Sequence, residues 1–410
     1  MPPSTTALFR NRDFRLLLLT RMFVIMALQA QAVIVGWQVY SLTGSVFLLG
    51  LTGLVEAVPA ILCALYAGHV VDTHKPLRIY ILCLTALGIN TLVLLVLAGG
   101  LFTFDSLTVL IVLYAGVFIS GLARSFIMPA SFSLLPLIIK RSEIPAASSV
   151  QTMTYQAGAI GGPTLAGLIY GGYGAMGAWL FAALMMGMAV VMVMFLKVAH
   201  AARPEKRPRA LASIIEGWKF LLQNRALLSV MALDMLAVLF GGAIAVLPAF
   251  AHEVLQAGSE GLGALRAAPA VGAVIGALYY TVVPMRRVNA LQMLGVIAGF
   301  GVCMIGFGLS THFIPAVLFL ALSGAFDSVS MVIRGTLVQW LTPEAMRGRV
   351  ASVNSMFIIS SNEIGAFYSG AMAALLGLVP SIVLGGAGTL AVVGLTALLS
   401  PKFRKLRVEA

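Results

Sequence analysis

Eight ionisable side chains stand inside stretches of sequence that are otherwise apolar, and they carry both signs of charge: Arg21, Glu56, Arg124, Asp234, Arg266, Asp327, Arg334 and Glu363. Such stretches are candidates for membrane spans. A charge within lipid is costly, so ionisable residues there generally form pairs, line a path or bind protons. We expect Glu56, Asp234 and Asp327 to be the groups that bind and release a proton. Arg21, Arg266 and Arg334 lie nearer to span ends, where a long side chain can also reach the surface.

Polar side chains also recur at helical spacing within these apolar stretches. They form three groups: Gln31 with Gln38; Ser120 with Arg124 and Ser131; Ser323 with Asp327 and Arg334. Each group shares one helix face. A polar stripe of this kind is typical of a water-filled path, and hydrogen bonding between packed helices is the alternative. Asp327 and Arg334 are about 10 Å apart along a helix axis, too far to pair directly.

The elements that carry these residues must be membrane-spanning helices. Of the 410 residues, 60% are hydrophobic and only 10% are charged, and the mean hydropathy is +1.02. No soluble core hides this much apolar surface, which excludes a soluble enzyme, a disulfide-rich secreted domain and a disordered chain. At about 20 residues per crossing there is room for about twelve spans. We predict them at 14–40, 46–71, 79–99, 107–135, 144–170, 178–197, 226–252, 262–283, 289–310, 314–341, 345–375 and 380–400.

The basic residues divide the connections between spans into two sets. Of the 26 lysines and arginines, 22 lie in the N-terminal segment, in alternate connections or in the tail, and the intervening connections hold none. Positively charged loops remain on the cytoplasmic side. The pattern predicts an even number of spans, with both termini in the cytoplasm. It also places the net charge of +12 on a membrane face rather than on a nucleic-acid-binding surface.

The longest connection divides the predicted spans into two groups of six. We expect an N-terminal six-helix bundle over 1–197, a cytoplasmic linker over 198–225, a C-terminal six-helix bundle over 226–400 and a basic cytoplasmic tail over 401–410. Within the linker, apolar residues at helical spacing predict an amphipathic helix on the cytoplasmic membrane surface. That helix either connects the two halves or binds a partner.

The two halves are weakly similar at an offset of 203 residues, since Ser120-Gly121 recurs as Ser323-Gly324. Near the start of each half the offset grows by ten, and Asn11-Arg12 recurs as Asn224-Arg225. An even number of spans in each half gives parallel repeats about an axis along the membrane normal. The similarity therefore predicts two bundles of the same topology.

The same offsets align residues of opposite charge in the two halves. Arg124 falls on Asp327, and Arg21 falls on Asp234. We therefore expect Arg124 and Asp327 to attract each other across a central cavity when it narrows. Protonation of Asp327 would cancel that attraction and favour opening.

No enzyme motif competes with this interpretation. The sequence has neither a G-x-x-x-x-G-K-[ST] loop nor an H-E-x-x-H pair, and its three cysteines have no C-x-x-C spacing. We expect no catalytic residue, cofactor, resident metal ion or nucleic-acid partner. The expected partners are a small-molecule substrate, protons and the lipid bilayer, and no oligomer is required.

Three short stretches carry recognisable motifs. Residues 158–167 of span five read G-A-I-G-G-P-T-L-A-G, which fits G-x-x-x-G-P-x-x-G-G with Ala166 at one glycine. Residues 342–349 contain T-P-E-x-x-x-G-R, where Thr342 is expected to cap span eleven. Gly68 to Asp72 match the opening of G-x-x-x-D-R-x-G-R-R, and Thr73 replaces its first arginine. With these motifs the whole chain resembles the major facilitator superfamily, in particular the bacterial efflux branch that includes macrolide-efflux and enterobactin-exporter proteins.

The resemblance implies a fold, a cavity and a set of moving parts. The fold is all-α, with twelve transmembrane helices in two six-helix parallel repeats, and spans 1, 4, 7 and 10 line the cavity. Substrate contacts then fall on Gln31, Gln38, Ser120, Arg124, Ser131, Asp234, Ser323, Asp327 and Arg334. Conformational roles fall on Gly68, Asp72, Gly158, Gly162, Pro163 and Gly167. Glycines let two helix backbones approach closely, and a proline bends its helix.

We interpret the chain as a secondary active transporter that exports a small amphipathic molecule, a drug or a siderophore, in exchange for protons. One alternative is an importer of a nutrient or metal chelate on the same fold, against which the span-five motif speaks. The other is a receptor or scaffold that does not transport, which would not need deep charges of both signs. Acidic residues suit cationic drugs, whereas Arg124 and Arg334 suit carboxylate or catecholate siderophores.

Overall fold

In a computed structural model, the chain is predominantly α-helical. The structure describes residues 5–100, 104–140, 143–198, 210–282, 287–343, 346–399 and 407–409. An α-helix satisfies every backbone N–H and C=O within its own segment, which is why apolar segments in lipid adopt it. Within these ranges, ten helices are long and apolar enough to cross a membrane.

The helices follow one another with short connections. The first half contains α1 (Thr5–Arg10), α2 (Arg12–Thr43), α3 (Val46–Thr73), α4 (Pro76–Ala98), α5 (Ser106–Ile138) and α6 (Ile144–Met194). The linker forms α7 (Ala210–Gln223). The second half contains α8 (Arg225–Gly241), a 3-10 turn (Ile244–Val246), α9 (Leu247–Glu253), α10 (Ser259–Val282), α11 (Ala290–Gly308), α12 (Phe313–Leu341), α13 (Arg347–Leu376) and α14 (Leu378–Leu399). Strands β1 (Arg287–Asn289) and β2 (Arg407–Glu409) pair antiparallel.

The break predicted between spans five and six agrees with the structure, whereas predicted span seven is interrupted. Predicted spans five and six fall together in the 51 residues of α6, where Gly174 has φ 65° and ψ −167°. This conformation interrupts a helix and is open to glycine, so two helices meet at Gly174. Predicted span seven, in contrast, is divided into α8, the 3-10 turn and α9 after Gly241.

Asparagine side chains cap the starts of α8 and α11, whereas the cap predicted at Thr342 is not formed. Asn289 and Gln292 form a reciprocal capping box at the start of α11. Asp105 precedes α5, and the hydrogen bond that its carboxylate accepts from Thr108 lowers the pKa of Asp105. Thr342, expected to cap span eleven, instead ends α12, because α13 begins only at Arg347.

The chain forms two compact units. Unit 1 comprises residues up to Leu42 together with Val58–Ala210, and unit 2 comprises Thr43–Ala57 together with the residues from Leu211 onward. The core of unit 1 contains the fully buried Phe14, Leu84 and Met186. The outer part of α3 belongs to unit 2, where Gly50 lies against the backbone of Gly370 on α13.

The linker helix α7 packs against unit 2 through its described residues. The Trp218 ring lies 5.3 Å from that of Phe357 on α13, and Leu221 is fully buried. Glu216 forms an ion pair of 2.6 Å with Arg349 at the start of α13. The apolar face that the sequence placed on the membrane surface is therefore covered, at these positions, by other helices of the protein.

Candidate substrate and coupling site

A buried ion pair joins α8 and α12 in unit 2. Asp234 Oδ2 pairs with Arg334 Nη1, and the Ser330 hydroxyl donates a hydrogen bond of 3.2 Å to Asp234 Oδ1. Each side chain of the pair is only 8% exposed. A close pair with an added hydrogen bond is the arrangement in which charges persist away from water. Asp234 and Arg334, both predicted site residues, are thus brought together by the fold.

Unit 1 has a different polar contact between α2 and α5. Arg21 Nε donates a hydrogen bond of 2.6 Å to Ser131 Oγ. The buried Tyr80 of α4 lies close enough to interact electrostatically with Arg21. The guanidinium carbon lies 5.8 Å from the ring centroid of Phe132, within the range of a cation–π contact. The sequence selected Ser131 as a site residue, and it did not select Arg21, Tyr80 or Phe132.

Four other predicted site residues make hydrogen bonds within or between helices. Gln31 donates to Thr91 over 2.7 Å, and Gln38 accepts from Trp179 over 3.0 Å. Ser120 accepts from Asn90 over 3.4 Å, and Ser323 donates to a carbonyl of its own helix. These bonds correspond to the alternative that the sequence left open for the polar stripes, the hydrogen bonding of packed helices.

The remaining ionisable candidates stand in different surroundings. Arg124 on α5 is exposed, whereas Asp327 on α12 is half-buried and forms neither an ion pair nor a hydrogen bond with any residue that the structure describes. Glu56 on α3 acts electrostatically on Arg266 of α10, whose buried Nε has no described hydrogen-bond acceptor. Arg124 belongs to unit 1 and Asp327 to unit 2, and their expected attraction stays a prediction.

The span-five motif lies on α6 where that helix meets α2. A Cβ added to Gly162 would stand 2.7 Å from the carbonyl oxygen of Met26, and one added to Gly158 would stand 3.2 Å from that of Met22. Only glycine permits so close an approach of two backbones. Pro163 and Gly167 lie buried within α6. Gly68 and Asp72 lie on α3, but the surroundings of Gly68 and the side chain of Asp72 fall outside the described residues.

The two polar contacts occupy equivalent places in the repeat. The offset of 213 residues relates Arg21 to Asp234, and the offset of 203 residues relates Ser131 to Arg334. The hydrogen bond of unit 1 and the ion pair of unit 2 therefore join the same two helices of each half at matching positions.

Among the described residues, ten membrane-compatible helices, with a buried ion pair and glycine-mediated contacts between them, define a multi-pass membrane protein. The chain matches the transmembrane secretion effector family over residues 3–409. It belongs to this family of major facilitator transporters.

Curated relatives and solved structures are similar over nearly the whole chain. The proteins named enterobactin exporter EntS from Shigella boydii serotype 4 (strain Sb227) and Escherichia coli (strain 55989 / EAEC) are each 27% identical over 397 residues, which cover 96% of this chain and 93% of theirs. A bacterial homologue of the iron transporter ferroportin in the inward-facing state has a TM-score of 0.73 at 16% identity, covering 96% of this chain and 99% of its own. A bacterial homologue of the human lysosomal transporter Spinster has a TM-score of 0.75 at 14% identity, covering 96% and 98%. The two structural likenesses establish the fold alone.

Proposed function

We propose that the protein is a proton-coupled exporter of a small amphipathic molecule of the siderophore class, located in the bacterial inner membrane. The observation that supports this most directly is the buried Asp234–Arg334 pair, which places opposite charges inside apolar helices of a secretion family. The relatives named as enterobactin exporters favour a siderophore over other amphipathic cargo. Such a molecule carries polar groups that a charged, partly dry site can recognise.

The proposal includes twelve membrane crossings with both termini in the cytoplasm. Counting α6 as two helices that meet at Gly174 adds one crossing to the ten membrane-compatible helices. The 30 residues of α13 are also long enough to cross a bilayer. The separation of the basic connections supports the same topology.

Proton coupling is assigned to Asp327 first, and then to Asp234 and Glu56. Asp327 is half-buried and has no partner of opposite charge among the described residues, whereas Asp234 is already paired with Arg334. A carboxyl group without such a partner can bind a proton when its surroundings are dry and release it when they become wet. The arginine beside Asp234 would have to separate from it before that group could do the same.

Transport is proposed to proceed by alternating access, in which the two units change their packing around the substrate. The close approach of α6 to α2 lies within unit 1 and supports a role of the span-five motif in conformational change of that unit, because glycines at the contact let the two helices shift between packings. Directionality from cytoplasm to outside follows from the secretion family rather than from any single residue.

The test compares a deletion strain with its parent under iron starvation. Metabolite profiles are recorded inside and outside the cells, together with iron-chelating activity in the supernatant. We expect the deletion to retain a chelator inside and to lose it outside, and the wild-type gene to reverse both changes. A deletion strain that fails to take up a compound from the medium would instead identify an importer. Identical profiles on both sides of the membrane would contradict transport of this class.

A further inference from the structure

Arg21 has no counter-charge among the residues that the structure describes, at a place where the other half of the protein has a balanced pair. In unit 2 the contact between α8 and α12 joins Asp234 to Arg334. In unit 1 the equivalent contact joins Arg21 to the hydroxyl of Ser131, and no carboxylate among the described residues pairs with Arg21. Unit 1 therefore keeps a positive charge that unit 2 neutralises.

The guanidinium of Arg21 is held in one orientation and has donors to spare. Its Nε donates a hydrogen bond of 2.6 Å to Ser131 Oγ, and its guanidinium carbon lies 5.8 Å from the ring centroid of Phe132. Neither Nη1 nor Nη2 donates to a residue that the structure describes. Two parallel N–H groups on one edge of a guanidinium match the two oxygens of a carboxylate, or an ionised phenol and its neighbour.

The position of Arg21 within a membrane-spanning helix makes an uncompensated charge costly in free energy. Arg21 is half-buried on a membrane-spanning helix, where an ionisable side chain is costly unless it pairs, lines a path or binds a ligand. A salt bridge would offset that cost, as it does for Arg334. An anionic ligand would offset it too, but only while the ligand is bound.

An aromatic surface lies beside the cation. Phe132 is 64% exposed and its ring centroid stands 5.8 Å from the guanidinium carbon, so much of the ring is left uncovered by the described residues. Aromatic rings favour stacked or edge-to-face contacts with a second ring. The pair of a cation and an open ring fits a ligand that carries an anionic oxygen on or next to an aromatic ring.

We propose that Arg21, oriented by Ser131 and flanked by Phe132, is a substrate-binding site in unit 1 that recognises an aromatic anion, either a carboxylate or an ionised phenol. This inference rests on the proposed function, since it names the chemical class of the exported molecule. Arg21 contacts the anionic oxygen directly, and Ser131 is a positioning residue.

The test is equilibrium dialysis with the purified full-length protein in detergent. The probes are radiolabelled salicylate, its neutral analogue salicylamide and 4-nitrocatechol, whose phenol ionises near neutral pH. We expect salicylate to bind at least about tenfold more tightly than salicylamide, because a charge-assisted pair replaces neutral hydrogen bonds. Tighter binding of salicylate than of 4-nitrocatechol identifies a carboxylate as the recognised group, and the reverse order identifies a phenolate.

Four variants locate the site. Arg21→Gln should remove the preference for the anion, and Arg21→Lys should keep part of it. Ser131→Asp builds into unit 1 the pair that unit 2 already has, so it should leave the protein folded and abolish salicylate binding. Arg12→Gln, at the exposed start of the same helix, is the matched control and should bind as the wild type does.

Equal affinity of the wild type and of Arg21→Gln for salicylate would refute the proposed binding site. A wild-type protein that binds salicylamide as tightly as salicylate would refute it as well. Unchanged binding by Ser131→Asp has the same consequence. Binding is measured without transport, which separates this inference from the proposed function. Intact salicylate binding with identical metabolite profiles in deletion and parent strains would refute export and leave the site standing.

Discussion

Breaking the Asp234–Arg334 pair from either side should destabilise the protein, whereas replacing both residues together should not. Each side chain is 8% exposed, so removing one leaves the other charge nearly dry, which costs about 3–5 kcal/mol. Arg334→Met should cost less than Asp234→Leu, because Ser330 still donates a hydrogen bond to the remaining carboxylate. The double variant, which fills the same space with apolar groups, should unfold close to the wild type.

The measurement is unfolding of the four purified proteins by titration with SDS in mixed micelles, followed by tryptophan fluorescence. We expect the two single losses to exceed the loss of the double variant, with a coupling energy of about 3 kcal/mol or more. Strictly additive losses would show that the two side chains do not act as a pair. In cells, the double variant should be abundant and fail to export. Normal export by this variant would reduce the pair to a structural role.

Three further predictions address packing and topology. Gly162→Ala should reduce export, because its Cβ would lie 2.7 Å from the carbonyl oxygen of Met26. Gly161→Ala is the control and should be tolerated, because its nearest neighbour is the flexible end of the Met26 side chain at 3.5 Å. Equal export activity of the two variants would show that the motif has no role in transport. Trp218→Ala should lower the free energy of unfolding by at least about 1 kcal/mol, because the ring contact with Phe357 is lost. Leu222→Ala, at an exposed position of the same helix, should leave it unchanged. Equal unfolding midpoints of the two variants would show that α7 does not stabilise unit 2. A reporter fused after Lys402 should be cytoplasmic and one inserted near Asp105 periplasmic, and the same side for both would contradict twelve crossings.

The sequence predicted the class of fold because its strongest signals are physical requirements of a bilayer. Apolar runs of about 20 residues and the separation of basic connections follow from lipid solvation and insertion. The division of span seven was not visible, since Gly241-Gly242 is a common pair in membrane helices and carries no mark of a helix end. The helix start at Arg347 was missed because Thr342 and Pro343 form a plausible cap that tertiary packing overrides.

The sequence predicted which residues belong to the candidate site better than it predicted which of these residues contact each other. Helical spacing places residues on one face of one helix, and it does not say which other helix that face meets. Asp234 and Arg334 were therefore selected separately, and only the fold joins them. Gln31 and Gln38 were equally good candidates by spacing, yet Thr91 and Trp179 on neighbouring helices bind them. The offsets of 203 and 213 residues are the sequence signal that relates positions on helices of the first half to positions on helices of the second half.

The most direct measurement of proton-coupled export uses everted membrane vesicles and the chelator recovered from the parent culture. In such vesicles the cytoplasmic face is outside, so export delivers the chelator into the lumen. Vesicles that contain the wild-type protein and an acidic lumen should accumulate it, and a protonophore should abolish the accumulation. Asp327→Asn should permit equilibration without response to the pH gradient, whereas Asp105→Asn, at an exposed helix cap, should behave as the wild type does. Accumulation that is independent of the pH gradient in the wild type, or an unchanged response in Asp327→Asn, would contradict the account.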